Sequence, residues 1–344
     1  MHFHVIVAPS PYYKDPLKYR RHRLAEYLSG QQETEQVIWV CPDEKNLAAV
    51  FQQPVIQLLE NGVVELKVYD YKGAARNLQI LQKRLKNKLR LHCKSVGDKR
   101  FYLWFTYPAF SGLIDLKIWD KVIYDCSDLW NQMIGGSKFS WIRAISRKMN
   151  ERTEHKIIEQ ADQCFASSAF LFSRLARLRP NVKLIENGVD YQRFHDVNLS
   201  IRGHRQHIPT VGFVGGLKPW KVNFWLLAEL AASRRDWNIA IIGPLYGDET
   251  EDFNRLLRQP NVKYTPYVPY DKVPELMQSF DVGLLPYLEN EYNQAVFPLK
   301  LFEYLAVGVP VVGCGLPSTM NYVEEHVFAH VPGRVSDVIA ACES

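Results

Sequence analysis

Short apolar runs, many of them β-branched, alternate with longer amphipathic stretches along almost all of the chain. The runs predict strands at Val5–Ala8, Val37–Cys41, Val64–Tyr69, Phe101–Phe105, Val122–Tyr124, Cys164–Ser167 and Val182–Ile185. The stretches between them predict helices at Leu17–Ser29, Ala74–Cys93, Trp141–Gln160 and Phe170–Arg177. Strands alternating with helices imply parallel βαβ units. The pattern breaks at the polar stretch His195–His207, then restarts. Further strands are predicted at Thr210–Val214, Ile239–Ile242, Val262–Tyr264, Val282–Leu285, Val309–Gly313 and Phe328–Val331, with helices at Phe224–Ala232, Glu251–Leu257 and Lys272–Ser279. The two halves read as two doubly wound α/β domains. Residues 1–198 form the first, 199–208 a linker, 209–333 the second and 334–344 a terminal helix.

The most informative stretch is Phe297 to Val312, FPLKLFEYLAVGVPVV. It reads as a short helix running into a buried strand. Pro298 suits the first helical position, where a missing N–H costs nothing. Leu299, Leu301, Phe302 and Leu305 supply apolar contacts. Gly308 suits the C-terminal end and Pro310 stops the helix. Lys300 in the first turn is disfavoured by the helix dipole, by roughly 0.3–1 kcal/mol. It fits better if an anion binds there, as phosphates do at helix N-termini. Glu303 lies three residues on, near the same face. Together they suit a nucleotide diphosphate, with the cation on phosphate and the carboxylate on ribose hydroxyls. A surface Lys–Glu pair on an amphipathic helix is the alternative that spacing leaves open.

Composition narrows the classes. The chain has 344 residues, 47% of them hydrophobic, enough for two sizeable cores. A net charge of +5 suits anionic ligands or an anionic surface and does not call for nucleic acid. Six scattered cysteines without a CxxC pair suggest a reducing, cytosolic compartment. The N-terminus lacks the basic and long apolar regions of a signal peptide. No apolar run reaches the roughly 18–20 residues that span a bilayer. There is no DxD, HExxH, GxSxG or GxxxxGK[ST]. Metal-dependent transfer, α/β-hydrolase and P-loop chemistries are therefore not expected, and no metal or cofactor is.

Two other stretches end strands in residues fit for chemistry. Gly212–Leu217 closes the first strand of the second domain. Ligands bind beyond strand carboxyl ends in open α/β sheets. Gly215 and Gly216 would let backbone amides approach a phosphate, with Lys218 and Lys221 downstream. An ordinary tight turn is the alternative. Val122–Asp128 ends a first-domain strand in Asp125 and Asp128, either of which could accept a proton from an attacking hydroxyl or cap the next helix. Gly135-Gly136-Ser137 follows as a candidate acceptor loop. The loop Tyr287–Asn293 suits contacts to a donor's sugar or base, or is a solvated acidic loop. Lys83–Arg100 carries eight Lys/Arg and one Asp, and Trp141–Met149 adds Arg143, Arg147 and Lys148. Such stretches can rest on anionic lipid, or simply be solvated faces.

Pro298-x-Lys300-x-x-Glu303-Tyr304 followed by Ala306-x-Gly308-x-Pro310-Val311-Val312 resembles the donor-binding signature of GT-B glycosyltransferases. The similarity is to the bacterial family-four type that builds surface polysaccharides. The resemblance covers about Gly212–Val312 and is looser before it. It implies a GT-B fold, two Rossmann-like domains facing across a cleft. It also implies transfer from a nucleotide diphosphate sugar, with UDP-sugar as the expected donor, to a glycan or lipid-linked glycan. Glu303 would hold the donor ribose and Lys300 the diphosphate, with Pro298 and Leu299 at the donor. Asp125 and Asp128 are similar in place to the acidic pair of related transferases; Asp128, which lies further beyond the strand, is the expected base. Many members carry a second glutamate eight residues earlier; here that position is Ala295, and Glu291 is displaced by four. Ile185-Glu186-Asn187-Gly188-Val189-Asp190 resembles the family's NGVD turn. The family's terminal helix crosses back onto the first domain. A cytoplasmic enzyme, at the inner face of the plasma membrane if peripheral, is expected. An epimerase of the same fold and a non-catalytic nucleotide-sugar-binding subunit are the alternatives.

Overall fold

The structure is a computed structural model. It describes residues 1–14, 18–45, 47–70, 79–93, 99–130, 141–196 and 208–344. The Gly135–Ser137 loop and all but the last residue of the expected linker lie outside the described residues. The chain divides into two compact units, one reaching Ile185 and the other starting at Glu186. The boundary thus falls earlier than the expected 198. The reason is packing: Asn187 Nδ2 donates to the Phe297 carbonyl at 2.7 Å, and Phe194 is buried in the second core.

The first unit contains β1 (His2–Val7), α1 (Arg20–Ser29), β2 (Thr34–Glu44), β3 (Val55–Leu58), β4 (Val64–Asp70), α2 (Gln79–His92) and β5 (Arg100–Phe105). It continues through β6 (Lys121–Cys126), α3 (Trp141–Gln160), β7 (Gln163–Ala166), α4 (Ala169–Ala176) and β8 (Val182–Leu184). The sheet order is β3-β4-β2-β1-β5-β6-β7-β8. Phe3, Val5, Ile6 and Val7 bury both faces of β1, as a central parallel strand requires. All the pairs are parallel except β3 with β4, an edge hairpin turned by Asn61-Gly62, where Gly62 has φ 79°. Along α2, Leu81, Leu85 and Leu89 face inward and are buried.

The second unit contains α5 (Tyr191–His195), β9 (Thr210–Val214), α6 (Phe224–Ser233), β10 (Asn238–Ile242), α7 (Glu251–Leu257), β11 (Val262–Thr265) and α8 (Val273–Gln278). Then come β12 (Val282–Pro286), α9 (Glu291–Gln294), α10 (Leu299–Ala306), β13 (Val311–Cys314), β14 (Phe328–His330) and α11 (Val335–Glu343). The parallel sheet runs β11-β10-β9-β12-β13-β14, the dinucleotide-fold order in which the connections reverse direction between the first and fourth strands. Asn223 and Thr250 cap α6 and α7 by accepting from Leu226 N–H (3.0 Å) and Phe253 N–H (3.2 Å). The terminal helix α11 packs on α6 and β13, with Val338 in the second core. It belongs to the second unit, where the family resemblance led us to expect a return to the first.

Candidate functional site

The reversal point of the second sheet lies between β9 and β12. These strands pair only at Val211–Val282 and Gly212–Gly283. Beyond that register they part, and a ligand-sized opening at the carboxyl edge is what such a split provides.

Gly215 and Gly216 lie immediately beyond β9. Gly215 N–H donates to Ile242 O at 2.9 Å. Gly243 follows β10 with φ 135°, and a Cβ there would lie 1.9 Å from Gly215 O. Only glycine permits that approach. A Cβ on Gly216 would meet the Tyr246 ring at 3.0 Å. The Lys218 ammonium stands 5.3 Å from the centre of that same ring. The Lys221 ammonium stands 5.3 Å from the Tyr287 ring and 6.0 Å from Tyr292. Aromatic faces attract cations in this geometry. Lys218 therefore borders the glycine turn, while Lys221 lies against the segment that follows β12.

The helix α10 starts one residue later than expected. Pro298 is its N-cap, with ψ 124°, and Leu299 is the first helical residue. Gly308 adopts φ 74° just past the end, as a left-handed terminator does. Lys300 and Glu303 form an ion pair, with side chains 14% and 6% exposed. The pair exists, but it is not the solvated surface pair that spacing left open. Burial pushes the Tyr287 and Tyr304 phenols far above their usual range, and the Glu303 charge adds to the effect on both.

Tyr304, quoted above only as part of the signature, and Asn290 and Asn293, named only as part of the Tyr287–Asn293 loop, hold this edge together. Tyr304 Oη accepts from Val214 N–H at 2.9 Å and donates to Gly212 O at 3.2 Å. Asn290 and Asn293 donate to carbonyls of the loop after β9. Asn187 anchors the segment just before Pro298, and the Tyr322 hydroxyl donates to Glu186.

In the first unit, Asp125 and Asp128 sit at the carboxyl end of β6 in different surroundings. Asp125 is 4% exposed and accepts from Arg20 Nε at 2.8 and 3.1 Å. The same guanidinium donates to Ile185 O at 2.8 Å. Asp128 is half-buried and accepts from Leu129 N–H at 2.8 Å. The segment after it, 131–140, lies outside the described residues. Beneath them, Tyr124 Oη donates to Glu154 Oε1 at 2.7 Å, and Arg174 pairs with both Glu154 oxygens. This buried network fixes β6 one residue before Asp125. Among the described residues no group of three or more His, Cys, Asp or Glu could hold a metal ion. No described helix is long and apolar enough to cross a membrane.

Comparison with known proteins identifies the family and the fold. Residues 208–343 match the glycosyl transferases group 1 family. Over 99% of its length the chain is 39% identical to 88% of a Bacillus subtilis (strain 168) protein provisionally named teichuronic acid biosynthesis glycosyltransferase TuaH. Its fold is similar to that of sucrose-phosphate synthase from Thermosynechococcus elongatus, with TM-score 0.69 and 13% identity over all of this chain and 88% of that one. It is also similar to Anabaena HepE in complex with UDP and glucose, with TM-score 0.68 and 15% identity over 99% of this chain and 88% of that one. The fold class is GT-B, and the chain belongs to the glycosyl transferases group 1 family.

Proposed function

We propose that this glycosyltransferase moves a sugar from a UDP-sugar to a glycan or lipid-linked glycan during bacterial surface-polysaccharide assembly. The observation that carries the reading is the largely buried Lys300–Glu303 pair at the start of α10, the helix that Tyr304 fastens to the end of β9 just before Gly215 and Gly216. The name of the Bacillus relative supports a surface-polysaccharide acceptor, and the UDP and glucose held by HepE support the donor class.

The second unit binds the donor. Glu303 accepts from the ribose hydroxyls, and Lys300 turns from Glu303 to the diphosphate. Lys218, Lys221 and the amide of Gly216 spread the charge that builds on the leaving diphosphate, as preorganised donors do, whereas the Gly215 N–H is already spent on Ile242 O. The first unit binds the acceptor. As the acceptor oxygen bonds to the sugar's anomeric carbon, the carbon–phosphate-oxygen bond breaks and Asp128 takes the hydroxyl proton. Asp125 is held by Arg20 and positions the strand end. The basic outer face of α2 rests on anionic lipid. Leu81, Leu85 and Leu89 are committed to the core and only Leu91 is exposed, so that contact is mainly electrostatic.

The test is transfer of radiolabelled sugar from UDP-sugars into membrane extract. Label in the glycan or lipid fraction is expected. Donor epimerised without transfer would make the protein an epimerase. Donor bound but unchanged would make it a binding subunit.

A further inference from the structure

The loop after β9 and the loop after β12 run side by side and are stitched together. Val222 and Tyr287 form an antiparallel bridge. Asn223 N–H donates to Pro286 O at 2.8 Å, and Leu288 N–H donates to Lys221 O at 3.0 Å. One side chain crosses this seam. Asn293 Nδ2 donates to Lys221 O at 2.9 Å and to Leu288 O at 2.7 Å. Asn290, one turn earlier, accepts from Asn293 N–H at 2.9 Å and donates to Trp220 O at 2.9 Å. The two asparagines thus grip successive carbonyls, those of Trp220 and Lys221.

Asn293 is fully buried, and both of its amide hydrogens are used. The chemistry at this position is narrow. Two inward carbonyls need two donors from one short side chain. Aspartate would set oxygen against oxygen, serine has one donor, and an apolar residue has none. The Lys221 ammonium faces the ring of Tyr287, just after β12, at 5.3 Å, and that of Tyr292, the residue before Asn293, at 6.0 Å. Main chain and side chain of one lysine are therefore both met by the segment from Tyr287 to Asn293, with α9 supplying the Asn293 amide and the Tyr292 ring.

We propose that Asn293 is a positioning residue that sets the Lys221 ammonium for the donor's diphosphate. The inference rests on the reading of Lys221 as a phosphate contact. It predicts a selective defect. A ligand that carries phosphates should lose affinity when Asn293 changes, and a nucleoside should not. A residue that only braces the fold would weaken both alike.

The experiment is calorimetric titration of the full chain with UDP and with uridine. The proteins are wild type, Asn293→Leu, Lys221→Met and the double variant, with Asn293→Ser as a milder replacement. Asn293→Leu should weaken UDP by roughly tenfold, the worth of one well-made charged contact, and leave uridine within about twofold. Added to Lys221→Met, it should change UDP affinity by less than about twofold, since residues acting through one another do not add. Equal losses for UDP and uridine overturn the proposal, as does an undiminished effect in the Lys221→Met background. Failure of both Asn293 variants to fold makes the residue structural and also overturns it. If Lys221→Met alone leaves UDP binding unchanged, the donor reading fails first and takes this inference with it.

Discussion

Tyr304 completes the backbone hydrogen bonding of Val214, accepting its N–H at 2.9 Å at the point where β9 parts from β12. The phenol also donates to Gly212 O, and its ring lies so close to Gly283 that a Cβ there would meet it at 2.7 Å. A side chain from α10 therefore does the work of a missing strand neighbour. It fastens the helix that carries Lys300 and Glu303 to the strand that ends at the glycine turn.

Tyr304→Phe should leave two buried backbone groups unpaired and cost about 1–3 kcal/mol. Urea unfolding checks this, read as a lower midpoint at unchanged slope. An unmoved midpoint would show that the hydroxyl is dispensable.

Glu303→Gln should weaken UDP at least about tenfold, through loss of a charge-assisted bond worth roughly 1.5–3 kcal/mol. It should also lower the stability of the ligand-free protein, because Lys300 loses its buried counter-charge. Calorimetry and thermal melts read the two effects separately. Unaltered UDP affinity rejects the ribose assignment.

The two aspartates of β6 should part company on mutation. Asp128→Asn should keep the melting temperature and UDP affinity while turnover falls by at least about 10²-fold. Asp125→Asn should instead lower stability by about 1.5–3 kcal/mol, because Arg20 loses its carboxylate. Turnover within a fewfold for Asp128→Asn would remove it as the base. It would favour a retaining reaction in which the departing phosphate receives the proton.

How far these residues were legible depends on the range of the interaction that defines them. Local periodicity showed the βαβ alternation, the Phe297–Val312 helix and strand, and the glycine turn after β9. It could not show Arg20 with Asp125, or Glu154 with Arg174, because nothing in local spacing marks partners so far apart. The strand β3 was missed because it is only four residues long and mostly exposed at the sheet edge, although Asn61-Gly62 marked the turn. The polar run from His195 masked the fact that Phe194, just before it, is a core residue of the second unit.

His4 gives the fold a pH dependence. It stacks on Tyr102 with ring centres 4.9 Å apart, and its Nδ1 accepts from Trp104 Nε1–H at 3.2 Å. Burial, then the neighbouring His2 charge, lowers its pKa from 6.5 to about 4, while Glu33 opposes the shift. As pH falls below 6.5, the unfolded chain takes up a proton that the folded one refuses. Stability should therefore drop between pH 6.5 and about 4, by no more than about 3 kcal/mol. Denaturant midpoints across this range should show the slope, and His4→Leu should flatten it. An equal slope in the variant assigns the effect elsewhere.

The basic face of α2 should bind anionic vesicles in low salt and release them as ionic strength rises. Sedimentation with neutral and anionic vesicles decides this, and equal pelleting with both counts against it. Because Leu81, Leu85 and Leu89 are buried, replacing exposed Lys83 and Arg90 with glutamine should abolish binding without altering the melt.

The touching backbones of Gly215 and Gly243 bear on how this enzyme can diversify. With 1.9 Å where the smallest side chain would begin, position 243 admits no gradual change: every substitution displaces the turn after β9 outright. Donor preference cannot drift through that position in small steps. It is free to drift next door, where the rings of Tyr246 and Trp220 border the turn and its neighbouring loop with side chains that can be trimmed or enlarged. The site therefore combines one rigid joint with an adjustable rim, and variation among close relatives should collect on the rim.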